Sequence, residues 1–288
     1  MSLPTYASPL ERIWYYTFRT ICGLIFFFLI APLIVIIPLS FNAVPFFTFT
    51  PEMLSLDPAG YSLQWYEDFF TNDNWHGAVK NSFIIAVFAT LIATTLGTIG
   101  ALGLSRSQMP YKSAIMAVLI SPMIVPLIIS AAGMYFFYSK IGLASTHLGV
   151  ILAHAALGTP FVVITVTATL VGFDQSLIRA AYNLGASPTV TFFKVIVPLI
   201  LPGVISGALF AFITSFDEVV VILFVGSYEQ RTIPWQMFSG IREQISPTIL
   251  AVATMLIMVS ILLLTSLELI RRRAERLRGI KPVSGSLR

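Results

Sequence analysis

The stretch Arg179-Ala180-Ala181-Tyr182-Asn183-Leu184-Gly185-Ala186-Ser187-Pro188, running on to Val195-Ile196-Val197-Pro198, is a polar elbow set between two long apolar segments. Asp174 stands where it can cap a short helix whose Leu177, Ala181 and Leu184 fall on one face. Gly185 supplies the left-handed residue that ends such a helix. Ser187 and Pro188 read as the cap and first residue of a second helix, which Pro198 is expected to stop. Small side chains at Ala180, Ala181, Gly185 and Ala186 leave one surface low, so another protein's groove can approach the backbone closely. The segment 174–198 therefore suits docking better than catalysis; the alternative is an amphipathic interhelical loop lying on a membrane surface.

Around this elbow the chain is strongly apolar. Of its 288 residues 57% are hydrophobic and only 10% charged, and the mean hydropathy is +0.88. A soluble domain carries roughly 25% charged residues, so the composition excludes that class and predicts a polytopic membrane protein. Six segments reach the ~20 apolar residues that a span needs: 21–41, 79–104, 113–137, 148–171, 199–225 and 247–270. The first is longer than the core of a secretory signal and lacks a small-residue cleavage site, so it is expected to stay as an anchor. Of the 17 Lys and Arg residues, 13 fall on one set of loops: Arg12, Arg19, Arg106, Lys112, Arg179, Lys194, Arg271, Arg272, Arg273, Arg276, Arg278, Lys281 and Arg288. The other set holds Lys80, Lys140, Arg231 and Arg242. That bias predicts both termini and the elbow on the cytoplasmic side. Anchoring of this kind also explains the net charge of +4, so no nucleic-acid partner is expected.

The only long outer loop, 41–78, is acidic and aromatic, with a candidate interfacial helix at 63–70 or, alternatively, a landing surface for a soluble delivery protein. Proline and glycine punctuate the spans at Pro32, Pro38, Pro122, Pro126, Pro198, Pro202, Gly97, Gly100, Gly103, Gly133, Gly203 and Gly207, which predicts kinks and close helix crossings. Cys22 is the single cysteine, so no disulfide forms within the chain.

Asp217 and Glu218 sit in the fifth apolar segment, where each charge costs on the order of 3 kcal/mol at a helix centre. Such groups must face water, a cation or a partner. Helical spacing puts Phe210, Thr214, Asp217 and Val221 on one face, a stripe that can line a solute path with Asp217 attracting a cation; Glu218 points about 100° away, and a wide path or a subunit interface can take it in as well. Pairing with a basic residue of another subunit, or a position nearer the aqueous end, are the structural alternatives. Tyr135, Phe136, Tyr138 and Trp235 are aromatic counterparts for ammonium groups, or else belt residues. No phosphate-binding loop of the Gly-x4-Gly-Lys-Ser/Thr type and no Gly-x-Ser-x-Gly elbow occurs, and His76, His147 and His154 have no companions at metal-ligand spacing. Each histidine reads as a loop or pore-lining residue, and no metal or catalytic residue is assigned.

The elbow resembles the cytoplasmic loop of permease subunits of binding-protein-dependent ABC importers, whose pattern is Glu-Ala-Ala, three residues, Gly, nine residues, then Ile-x-Leu-Pro. Ala180, Ala181, Gly185 and Pro198 match at the same intervals; Arg179 stands in place of Glu, and Val195 and Val197 replace Ile and Leu. The run Ser-Phe-Asp-Glu-Val-Val-Val at 215–221, with Pro234 and Ser246-Pro247-Thr248 beyond it, is similar to the spermidine/putrescine branch of these permeases. The resemblance implies an all-α transmembrane bundle of six spans, a type I ABC importer (MetI-like) membrane domain over 79–270. An added N-terminal part (1–78) precedes it and a basic tail (271–288) follows. It implies that Asp174, Arg179, Ala180, Ala181, Leu184, Gly185 and Pro188 meet an ATPase, with Asp174 as a stand-in for the missing acidic contact. It further implies a second permease subunit, two ATP-binding subunits carrying ATP and Mg, and a periplasmic solute-binding protein. The expected cargo is a small cationic solute, a polyamine. Importers of opines, amino compounds or organic phosphonates, an ion-coupled secondary carrier using Asp217 and Glu218, and a membrane-embedded hydrolase are the competing classes.

Overall fold

The computed structural model describes residues 8–106, 109–172, 174, 176–243 and 246–277. Arg278, Lys281 and Arg288 of the expected basic tail lie outside the described residues. The helices are α1 (Pro9–Leu39), α2 (Pro51–Leu54), α3 (Gln64–Thr71), α4 (Asp73–Leu104), α5 (Lys112–Ile124), α6 (Leu127–Ile141) and α7 (His147–Val171). They continue as α8 (Ser176–Asn183), α9 (Pro188–Thr191), α10 (Val197–Phe216), α11 (Val220–Val225), α12 (Ile233–Glu243) and α13 (Thr248–Leu277). The chain divides into two compact units, 1–72 with 240–288 and 73–239.

In the first unit, α1 begins earlier than its apolar run because Ser8 and Glu11 form a capping box, with Glu11 N donating to Ser8 Oγ at 3.3 Å and Ser8 N to Glu11 Oε2 at 2.8 Å. Its most apolar window is 0% buried, so Phe26, Phe27 and Phe28 face outward. The predicted interfacial helix is present as α3, but two of its aromatics are spent on holding the loop together. Trp65 Nε1 donates to the Asn42 carbonyl at 2.6 Å, and the Tyr66 hydroxyl lies 2.7 Å from Ser40 Oγ while its ring stacks on Phe41. Asn42 in turn donates to the carbonyls of Phe46 and Thr48, so the loop has a built core of side-chain to backbone bonds. The Thr248 hydroxyl at the start of α13 donates to Asp68 Oδ2 at 2.7 Å.

The second unit is organised about α7. Two thirds of its apolar window, 67%, is buried, against 28% for α4 and 22% for the run ending in α10, which makes α7 the central helix. Between lipid-like side chains there is no hydrophobic gain, so close association requires backbones to approach. The sequence provides for this. A Cβ on Gly97 would lie 2.6 Å from Val162 Cβ, one on Gly207 2.8 Å from Val162 Cα, and one on Gly158 3.0 Å from Ala211 Cβ, while Gly203 abuts the Thr169 hydroxyl. Ala89 and Ala93 of α4 and Ala211 of α10 complete the small-residue seams. At one end Asn81 clamps the assembly: its Nδ2 donates to the carbonyls of Glu229 and Arg231 at 2.7 and 3.0 Å, and its Oδ1 lies 3.1 Å from His147 Nε2.

Two expected spans differ. Segment 113–137 is not one helix but α5 and α6, bent by 102°. Val125 precedes Pro126, whose ring disfavours helical backbone in the residue before it, and Val125 is extended (φ −69°, ψ 133°). Segment 199–225 ends early at Phe216, and Val220–Val225 forms the separate α11. Among the described residues four helices are long and apolar enough to cross a membrane, five if the bent pair counts as one. The apolar part of α13 reaches from Thr248 to Leu262.

Gly207→Val forces a branched side chain against the α7 backbone and is expected to lower unfolding free energy by about 1–3 kcal/mol. The readout is a fall in the denaturation midpoint in detergent. Gly133→Ala, with nothing within 4 Å of the added carbon, is expected to leave that midpoint unchanged or slightly raised.

Candidate functional site: an elbow and a broken helix

The elbow forms as its caps dictate. Asp174 Oδ1 accepts from Ser176 N at 2.8 Å at the head of α8. The hydrogen bonds from Ser176, and more weakly the charge of Arg179, hold the exposed Asp174 carboxyl below the usual carboxylate range. At the other end Ala186 N donates to Ala181 O and Gly185 N to Tyr182 O, both at 3.0 Å, with Gly185 at φ +80°. This is a Schellman ending. Nothing lies within 4 Å of a Cβ on Gly185, so its backbone angle alone demands glycine. Leu184 next to it is 88% exposed, and Leu177 and Tyr182 are exposed on the same short helix. Arg179 and Ala180 are exposed, Ala181 is half-buried, and Pro188 opens α9 behind the Ser187 cap, whose hydroxyl accepts from Val190 N at 3.4 Å.

The second helix does not stop near Pro198. The chain widens into a π-helical turn, Phe192–Ile196, in which Val197 N donates to Phe192 O, and then continues as α10. A proline inside a helix lacks one N–H and presses on the preceding turn; the wider turn gives its ring room. Pro188–Phe216 is thus one helical run of 29 residues joining the elbow to the carboxylates.

At its far end this run breaks. Asp217 is the C-terminal cap of α10, donating its N–H to Ile213 O at 3.0 Å, and its side chain is exposed. Glu218 is 8% exposed and turned inward, where Oε1 accepts from Val221 N at 3.0 Å and so caps α11. Val221, expected on the stripe, is fully buried because the break at 217–219 ends the helical register. The stripe that survives on α10 runs Ser206, Phe210, Thr214 and Asp217, with Ser206, Phe210 and Asp217 exposed and Thr214 half-buried. Phe161 of α7 stacks against Phe210 (centroids 6.1 Å apart, planes at 19°).

Sequence inspection missed Phe161 and also a buried bridge two residues before the break. His154 of α7, 1% exposed, places Nδ1 2.8 Å from Ser215 Oγ of α10. His154 is therefore a helix-joining residue and His147 a clamp residue rather than pore lining, while His76 is exposed on α4. Nothing in the sequence pairs positions 154 and 215; only the packing of α7 on α10 does. The bridge also gives the depth of the break. Val225 O accepts from Ser145 N just before α7, and His154 lies seven residues into that helix, so the break sits about 10 Å below its N-terminal end. Tyr135 and Phe136 are exposed on α6, Tyr138 and Trp235 pack against the core, and Trp235 also meets Tyr228 edge-on. Among the described residues no three His, Cys, Asp or Glu side chains converge on a metal position.

The site is thus a long apolar helical run with an exposed, capped elbow at one end and a carboxylate-bearing break at the other. The family model for binding-protein-dependent transport system inner membrane components matches residues 93–278, and the chain belongs to that family. It is 33% identical over 249 residues to the spermidine/putrescine transport system permease protein PotC of Haemophilus influenzae, covering 86% of this chain and 94% of that protein. To PotC of Escherichia coli K12 it is 31% identical over 248 residues, covering 86% and 91%. In fold it is similar to a chain of a bacterial ABC transporter that imports the acidic polysaccharide alginate. The TM-score there is 0.70 at 16% identity, over 92% of this chain and 99% of that one. A chain of the alginate transporter in complex with its alginate pentasaccharide-bound periplasmic protein gives 0.67 at 15%, over 92% and 96%. The chain is an integral component of the inner membrane.

Glu218→Gln keeps an oxygen for the Val221 N–H and is expected to leave the denaturation midpoint in detergent near that of the wild type. Glu218→Leu strands that buried donor and is expected to destabilise by about 1–3 kcal/mol.

Proposed function

We propose that this chain is the permease subunit of an ATP-driven importer of small cationic solutes, polyamines of the spermidine/putrescine kind. Asp217, Thr214 and Phe210 would border the solute path, and the elbow 174–198 would seat on an ATP-hydrolysing partner. One observation carries the solute class. The α10 break presents an exposed carboxylate at a helix C-terminus, where unpaired carbonyls and the helix dipole also favour positive charge. The name borne by both PotC relatives supports the same cargo. Glu218 borders this path only through Asp217, by fixing the start of α11.

The working assembly holds this chain, a second permease subunit, two ATP-binding subunits with their ATP and Mg, and a periplasmic binding protein. The basic-residue bias supports a cytoplasmic elbow and cytoplasmic termini. Leu184, Tyr182 and Leu177 offer the apolar contact and Asp174 the acidic one. Closure of the ATP-binding subunits would draw the elbows together and turn the path outward, and the docked binding protein would then release its amine toward Asp217.

In the assembled transporter, Asp217→Asn removes one charge-assisted contact and is expected to lower uptake of radiolabelled spermidine about tenfold or more. Unchanged uptake would remove the solute-path assignment. At the elbow, a valine at the left-handed position of Gly185 costs about 1–3 kcal/mol of backbone strain, whereas asparagine tolerates that conformation. Gly185→Val is therefore expected to reduce both co-purified ATPase subunit and uptake, and Gly185→Asn to recover most of each.

A further inference from the structure

We infer that the stacked pair Phe161–Phe210 is a second recognition point on the solute path, which favours elongated triamines over short diamines. The inference rests on the path described under Proposed function and adds to it a residue of α7. Phe210 precedes Asp217 by seven residues on the same edge of α10, so the two lie about 10 Å apart along the helix. Thr214 stands between them and is half-buried. Phe210 is 51% exposed although its ring lies in offset stacking with Phe161, so about half of the side chain stays open. The edge also carries Ser206, whose hydroxyl donates to the Pro202 carbonyl at 2.9 Å, so it is the Asp217 carboxylate that distinguishes this edge from a plain lipid face.

The spacing selects by length. A saturated chain advances about 1.25 Å per bond, so the terminal nitrogens of putrescine are separated by about 6 Å and those of spermidine by about 11 Å. With one ammonium on the Asp217 carboxylate, only the longer amine brings its other end over the open Phe210 ring, where an ammonium is attracted to the aromatic face. Phe161 acts through Phe210, holding its ring in the stacked orientation; it is a specificity-determining positioning residue.

The test measures maximal uptake of radiolabelled spermidine and putrescine by the complete transporter, normalised to the amount of assembled complex in the membrane. Phe161→Leu is expected to lower the spermidine-to-putrescine ratio roughly 2- to 30-fold, the range set by a cation over an aromatic face. Phe161→Tyr restores a stacking ring and is expected to return the ratio toward the wild-type value. Phe161→Met, which keeps an apolar side chain of similar bulk, is expected to behave like leucine. An unchanged ratio in both the leucine and methionine variants overturns the second recognition point, whether or not the amount of complex falls. Asp217→Asn separates the two failures. If it depresses both amines while the Phe161 variants keep the ratio, the path stands and only the aromatic point falls; if it depresses neither, the path itself has failed.

Discussion

Everything in the second unit depends on α7 lying at backbone contact with α4 and α10. Gly97, Gly158, Gly203 and Gly207 have no Cβ, and each would otherwise intrude on the neighbouring helix. In a bilayer, where burying apolar surface against a partner gains nothing over lipid, this contact supplies dense packing that larger side chains would prevent. It also sets the register that brings His154 to Ser215 and Phe161 to Phe210, so both contacts follow from a seam of small residues.

The same helical run then connects two features that are far apart in space. From Pro188 to Phe216 it spans about 43 Å, with the elbow at its start and Asp217 at its end. A helix stopped at Pro198 would have left a loose joint between them. The π-helical turn at Phe192–Ile196 keeps the run continuous while admitting Pro198 and Pro202, so a displacement of the elbow is carried along one body rather than lost in a loop. Elbow and carboxylate break are thus two ends of one continuous helical body.

The elbow was legible in the sequence because its determinants are local: a cap at Ser187, a left-handed glycine at 185 and an Asp174 cap each act within a few residues. Most spans were legible from hydropathy, although the described residues give four or five rather than six, and segments 113–137 and 199–225 show where hydropathy is blind. An apolar run reads the same whether it is straight or folded, so the 102° bend at Val125-Pro126 is announced only by the steric effect of a proline on its predecessor. Periodicity likewise placed Val221 on the stripe by extending a helix through a break. Contacts such as His154 with Ser215 and Asn81 with His147 join residues more than sixty positions apart, and no local pattern encodes them.

The adjacent carboxylates at 217 and 218 show how one break gives two roles. Ending α10 frees its last carbonyls and starts α11 with unpaired N–H groups, so the gap is positive on one side and negative on the other. Glu218 turns to the donor side, where Oε1 accepts from the Val221 N–H, a hydrogen bond that offsets part of the cost of its burial. Asp217 stays on the acceptor side, where the carbonyl end of the helix disfavours a negative charge, and it remains exposed. An uninterrupted helix would have pointed both acids about 100° apart into apolar surroundings with no donor for either. The break is thus what makes two neighbouring charges tolerable at this depth, by burying one on a backbone donor and leaving the other exposed.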